Sequence, residues 1–85
     1  MKVKDNFILR HVMDTDVVVD VTGEFSGVVK LNETSALIFA GVAAGKDLSS
    51  IAEEIAERYE VAAEQALSDA EQFCRAMCDE GFFVQ

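Results

Sequence analysis

The chain has 85 residues, is 51% hydrophobic, and carries 16 acidic against 7 basic residues, a formal net charge of -9. That length and hydrophobic content predict one small, marginally stable folded domain over residues 1–85 and argue against a disordered chain. The charge repels phosphate, so neither nucleic acid nor an anionic membrane is an expected partner.

The opening Met1-Lys2-Val3-Lys4-Asp5-Asn6 lacks the apolar core and small-residue cleavage site of a signal peptide. No apolar run approaches the length of a membrane span. A cytoplasmic protein is the expectation, and two cysteines one helical turn apart, Cys74 and Cys78, fit a reducing compartment.

Phe7 to Met13 is predicted as a first strand. Asp16 to Val21 is a second, with Val17, Val19 and Val21 alternating against Asp16, Val18 and Asp20. Thr22-Gly23-Glu24-Phe25-Ser26 is a turn-rich connection. Gly27 to Leu31 is a third strand, with Val29 and Leu31 on one face and Val28 and Lys30 on the other.

Proline is absent, so helix ends rest on caps and glycines. Asn32 caps a helix from about Glu33 to Ala43 that is apolar nearly all round and therefore central. Gly41 inside it costs roughly 1 kcal/mol relative to alanine. Gly45 closes that helix. Asp47 caps a second, from about Leu48 to Arg58, which buries Ile51, Ala52, Ile55, Ala56 and Tyr59. A third runs from near Ala63 to near Glu80, stops at Gly81, and buries Ala66, Leu67, Ala70, Phe73, Cys74 and Met77. The tail Phe82-Phe83-Val84 is expected to fold back onto the core. Strands first and helices later predict an α+β fold, winged-helix-like, with three N-terminal antiparallel strands followed by three helices.

Chemistry is sparse. The single histidine, His11, falls inside a strand, where an ordinary, partly exposed residue is the expectation. Cys74 and Cys78 share a helix face at i and i+4, but no histidine or CxxC pair completes a four-ligand metal set. No phosphate-binding loop and no nucleophile elbow is present. The expectation is therefore no catalytic residue, no metal site, no cofactor and no enzyme. A winged helix invites a DNA-binding reading, yet the second helix offers only Arg58 beside Glu53, Glu54, Glu57 and Glu60, and the third only Arg75. Over residues 46–85 ten acidic side chains face three basic ones. What remains is the third strand, which hands directly to a capped helix and leaves a strand edge with little to cover it. An open edge docks an extended peptide. Proline at Val29 is expected to remove a main-chain donor from that edge.

Three segments carry a family likeness. Val28-Val29-Lys30-Leu31-Asn32-Glu33-Thr34 looks like a "VxLNxT" strand-to-helix junction. Asp47-Leu48-Ser49-Ser50-Ile51-Ala52 with Tyr59-Glu60-Val61 looks like a "TvxEIA…L…Y-x-V" segment. Phe73 with Gly81-Phe82-Phe83 looks like the ending "DvxxFlxxLxxxGll". Together, in this order and spacing from about Phe7 to Val84, they make the chain resemble the PqqD-like family, the recognition elements of ribosomally made, post-translationally modified peptides.

The resemblance implies a non-catalytic peptide chaperone. Such a protein binds the leader of a precursor peptide and presents it to a modifying enzyme, often a radical SAM enzyme. It also implies a docking mode, in which the leader adds as an antiparallel strand to the third strand and lies in a groove walled by the third helix. Carried over, the peptide-binding residues are Val28, Val29, Lys30 and Leu31 on the strand and Gln72, Phe73, Arg75 and Ala76 on the helix. The founding members act in pyrroloquinoline quinone biosynthesis and have a shorter, proline-containing link between the second and third strands. The longer link here leaves that pathway open. Two other functions stay in view: a winged-helix transcription regulator, and a small assembly subunit dimerising through Phe25, Phe82 and Phe83. Monomer and homodimer are both compatible with the sequence.

Overall fold

The computed structural model describes residues 1–24 and 27–85. In chain order the elements are β1 (Lys2–Val3), β2 (Phe7–Val12), β3 (Thr15–Asp20), β4 (Val29–Leu31), α1 (Glu33–Ala43), α2 (Leu48–Tyr59), α3 (Ala63–Asp79) and β5 (Phe83–Val84). β2, β3 and β4 form an antiparallel sheet with β3 in the middle. β2 meets β3 from Phe7 opposite Asp20 to Val12 opposite Thr15, and β3 meets β4 from Asp16 opposite Leu31 to Val18 opposite Val29. The three-strand, three-helix order matches the sequence reading. The third strand starts at Val29 rather than at Gly27, and Phe25 and Ser26 of the predicted link fall outside the described residues.

The middle strand puts a mixed row, not the valine row, onto the helices. Val18 is 1% exposed and belongs to the core with Ile38, Phe39, Ile51 and Ile55. The two aspartates that share its face lie at the strand's ends, where polar partners satisfy them. Asp16 meets His11 at 2.9 Å, and Asp20 accepts from Asn6 at 3.1 Å and from the Thr22 amide at 2.9 Å. Val17 faces away from the helices, in a cross-strand row between Arg10 and Lys30.

The helices follow their caps. The Asn32 side chain accepts from the Ser35 amide at 2.8 Å and opens α1; Asp47 does the same for Ser50 at 2.8 Å and opens α2. Glu60, in the left-handed region at φ 54°, ends α2 one residue later than expected. α3 starts without a side-chain cap. Its place comes from the apolar face Ala66, Ala70, Cys74 and Met77, all buried.

The tail does fold back. Phe82 and Phe83 are 3% and 2% exposed. The Phe82 ring stands 4.6 Å from that of Phe7, and the Phe83 ring 5.5 Å from that of Phe39. This overturns the expectation that Phe82 and Phe83 form a dimer surface: their rings are inside the monomer's own core. Phe25, the third member of that set, lies outside the described residues. The tail is held by β1, which pairs antiparallel with β5, Lys2 opposite Val84, and is extended by the Lys4 amide donating to the Phe82 carbonyl at 2.9 Å. Two residues of strand leave no periodic signal, so β1 was not visible in the sequence. Among the described residues no helix is long and apolar enough to cross a membrane.

Candidate functional site

The open border is resolved by the hydrogen-bond alternation of the sheet. The Val21 amide donates to the Asn6 carbonyl at 2.9 Å, which marks residues 6 and 21 as a closely bonded pair. Bonded and non-bonded pairs alternate in an antiparallel ladder, so Ile8, Arg10 and Val12 also turn their main-chain groups toward β3. On β3, Asp16 and Val18 then turn theirs toward β4. Val29 and Leu31 answer them, and Lys30 directs its N–H and C=O groups away from the sheet. Among the described residues no strand pairs with that side of β4.

This register corrects one expectation. The outward donor belongs to Lys30, and a proline at Val29 breaks the inner ladder instead. The error came from reading one strand in isolation, since the inward and outward positions are set by the pairing two strands away.

The side chains of the four strand residues divide as predicted. Val29 and Leu31 are half-buried and pack against the core, while Val28 is 55% exposed and Lys30 points to the solvent-facing side of the sheet. On α3 the four expected wall residues do not stand together. Phe73 is half-buried against the core, its ring 6.1 Å from that of Phe83. Ala76 is exposed one turn further along the flank of Phe73. Gln72 is exposed, with its amide nitrogen 3.5 Å from the Ser68 hydroxyl. Arg75 lines a shallow depression on the opposite flank with Leu48, Glu71 and Cys78.

Burial, and then the neighbouring Cys78, push the Cys74 thiol up to about 11, so it stays protonated and unreactive at neutral pH. His11 is exposed and paired with Asp16. Among the described residues no group of three or more His, Cys, Asp or Glu could hold a metal ion. The border offers main-chain hydrogen bonds and apolar contact.

Comparison with known proteins identifies the lineage and the fold. The family model for coenzyme PQQ synthesis protein D (PqqD) matches residues 12–82. No curated protein matches the chain. Among solved structures, the fold is similar to that of TbiB1 in complex with the TbiA(beta) leader peptide, with a TM-score of 0.82, 20% identity, and 100% of each chain covered. It is equally similar to lasso peptide synthetase B1 complexed with the leader peptide, with a TM-score of 0.84, 19% identity, and 99% of this chain and 96% of that chain covered. At these identities the two structures establish the fold, and the matched family model, which covers most of the sequence, establishes the lineage: the chain belongs to the PqqD family.

Proposed function

We propose that this protein is a cytoplasmic, non-catalytic carrier of a precursor peptide's leader, which it presents to a modifying enzyme, a radical SAM enzyme or another of that role. The leader adds to β4 as an antiparallel strand. The observation that carries this reading is the pairing register, which turns the main-chain groups of Lys30 outward between half-buried Val29 and Leu31. Main-chain bonds supply affinity with little sequence information, and pockets for alternate guest side chains supply the rest. Val29, Leu31 and the Phe73–Ala76 flank of α3 form the apolar trough for those side chains, with Gln72 at its rim. Arg75, on the other flank, meets the modifying enzyme or the ends of the leader. Each well-buried guest anchor adds roughly 1.5–3 kcal/mol. Ordering of the flexible leader opposes this, for a net affinity near the micromolar range, about -8 kcal/mol.

The two solved relatives are leader-peptide complexes, which supports the same class of partner here. A DNA-binding alternative is disfavoured by the acidic faces of α2 and α3. The test is calorimetric titration with the precursor's leader, using Lys30→Pro as the probe of strand addition. Lys30→Pro is expected to abolish binding while circular dichroism shows an intact fold. Undiminished affinity in the folded variant overturns the docking mode, and failure of any leader to bind the parent protein overturns the function.

A further inference from the structure

The sheet has a second border, and it is built differently. β2 pairs only with β3 among the described residues. By the alternation described above, Leu9 and His11 turn their N–H and C=O groups away from the sheet on that side. Beside this border lies an open groove of about 690 Å³, lined by Lys2, Val3, Lys4 and Asp5, by Ile8 and Leu9 of β2, and by the C-terminal half of α1. The helix contributes Phe39 to the floor and Ala40, Ala43 and Ala44 to the wall. These alanines are exposed, so the helix surface is low and a strand can lie close to it.

The electrostatics of the groove run against those of the whole molecule. Two ammonium groups, Lys2 and Lys4, face a single carboxylate, Asp5, in a chain of formal net charge -9. The carbonyls at the end of α1 do not cancel this, because the Ala40, Gly41 and Val42 oxygens already accept from the amides of Ala44, Lys46 and Gly45.

We propose that this groove is a second peptide site, which takes an extended apolar segment of a partner protein flanked by acidic residues. The segment pairs with the outward main-chain groups of Leu9 and His11. Its alternate apolar side chains lie on Phe39 and the alanines of α1, and carboxylates at the ends of the segment meet Lys2 and Lys4. A guest here and a leader on β4 lie beyond opposite borders of one sheet, about 19 Å apart across four strand spacings, and so bind without competing. The inference extends the leader-binding reading but does not need it: the two borders report separately.

The test uses the isotope-labelled protein and two blocked seven-residue probes that alternate valine with serine, one with glutamate at each end, the other with lysine. The glutamate probe is expected to shift the amide resonances of Leu9, His11, Ala40 and Ala43 and to leave those of Val28 and Lys30 in place. The lysine probe is expected to bind about tenfold more weakly, as is the glutamate probe to a Lys2→Glu/Lys4→Glu variant, with both differences shrinking at high salt. Ala43→Glu, which puts a carboxylate on the exposed wall, is expected to abolish probe binding with an unchanged melting curve. Shifts confined to Val28 and Lys30, equal binding of the two probes, or no binding at millimolar concentration overturns the second site. Leader titration at β4 reads independently of each outcome.

Discussion

Gly41 of α1 lies so close to Ile51 of α2 that a Cβ built on the glycine falls 2.6 Å from the isoleucine Cγ1 and 2.7 Å from its Cδ1. Ile51 is 1% exposed and packed within the core, so its side chain must shift to admit that carbon. The helix-propensity cost of this glycine thus purchases the close crossing of α1 and α2. Gly41→Ala gains roughly 1 kcal/mol in propensity but forces overpacking that costs about 1–3 kcal/mol. The expected net is a loss of about 1 kcal/mol in chemical denaturation, again from overpacking. Adding Ile51→Ala to the alanine variant is expected to cost less than Ile51→Ala alone, because the new methyl occupies part of the cavity.

The two positions on β4 separate stability from recognition. Val29→Pro removes a ladder bond to Val18 in the sheet's interior and is expected to lower the melting temperature markedly, at a cost of about 3 kcal/mol. Lys30→Pro removes only an outward donor and is expected to leave the melting temperature nearly unchanged. Thermal unfolding of the pair distinguishes the two, and an equal loss at both positions contradicts the register.

Asp47 tests the capping of α2. Its carboxylate accepts from the Ser50 backbone and side chain, which holds its pKa below the ordinary aspartate value. A carboxylate with a lowered folded-state value stabilises the fold above its unfolded value, and that contribution is lost as pH falls through the folded value. Asp47→Asn keeps the cap geometry without the ionisation, so its melting temperature is expected to fall less steeply than the parent's over the acid range. Asp47→Ala is expected to be the less stable of the two variants at neutral pH.

The cysteines differ in reactivity despite sharing a helix. Cys74 is buried and its thiol is pushed up to about 11, whereas Cys78 is half-buried. Iodoacetamide at neutral pH is expected to label Cys78 first and Cys74 only on unfolding, as mass spectrometry of the digested protein reads. The raised value also has a stability consequence with a definite sign. The folded state holds the Cys74 proton more tightly than the unfolded chain, whose value is 9.0, so this stabilisation is complete below pH 9.0 and is lost as pH rises toward about 11. Cys74→Ala is expected to remove that part of the alkaline destabilisation.

The helices were legible because each carries its own signals. Asn32 and Asp47 fix two starts, Gly45 and Gly81 follow two ends, and the spacing of Ala66, Ala70, Cys74 and Met77 draws the inner face of α3 without reference to anything else. The strand residues Val28 to Leu31 were legible for the same reason, as a short β-branched run ending at a cap. Non-local pairing was not legible. Nothing near Lys2 predicts Val84 as its partner, and nothing near Lys30 tells whether its amide turns inward. The valines at 17 and 19 suggested a core row on β3, but Val18 occupies that place because Asp16 and Asp20 find partners at the strand's ends. On α3 the separation of Arg75 from Phe73 follows from helix geometry, since residues two apart do not share a face; which flank turns toward β4 depends on packing, which the helix's own sequence does not encode.

β4 is only three residues long, and brevity has its own consequence. So small a ledge gives a passing strand a couple of bonds at most, too few to retain it against thermal motion. Sticky fibres are thereby discouraged, and any visitor that stays must contribute fitted side chains as well as backbone. Adhesion and identity checking become one event, so trimming a visitor's anchors ends the association outright instead of loosening it by degrees.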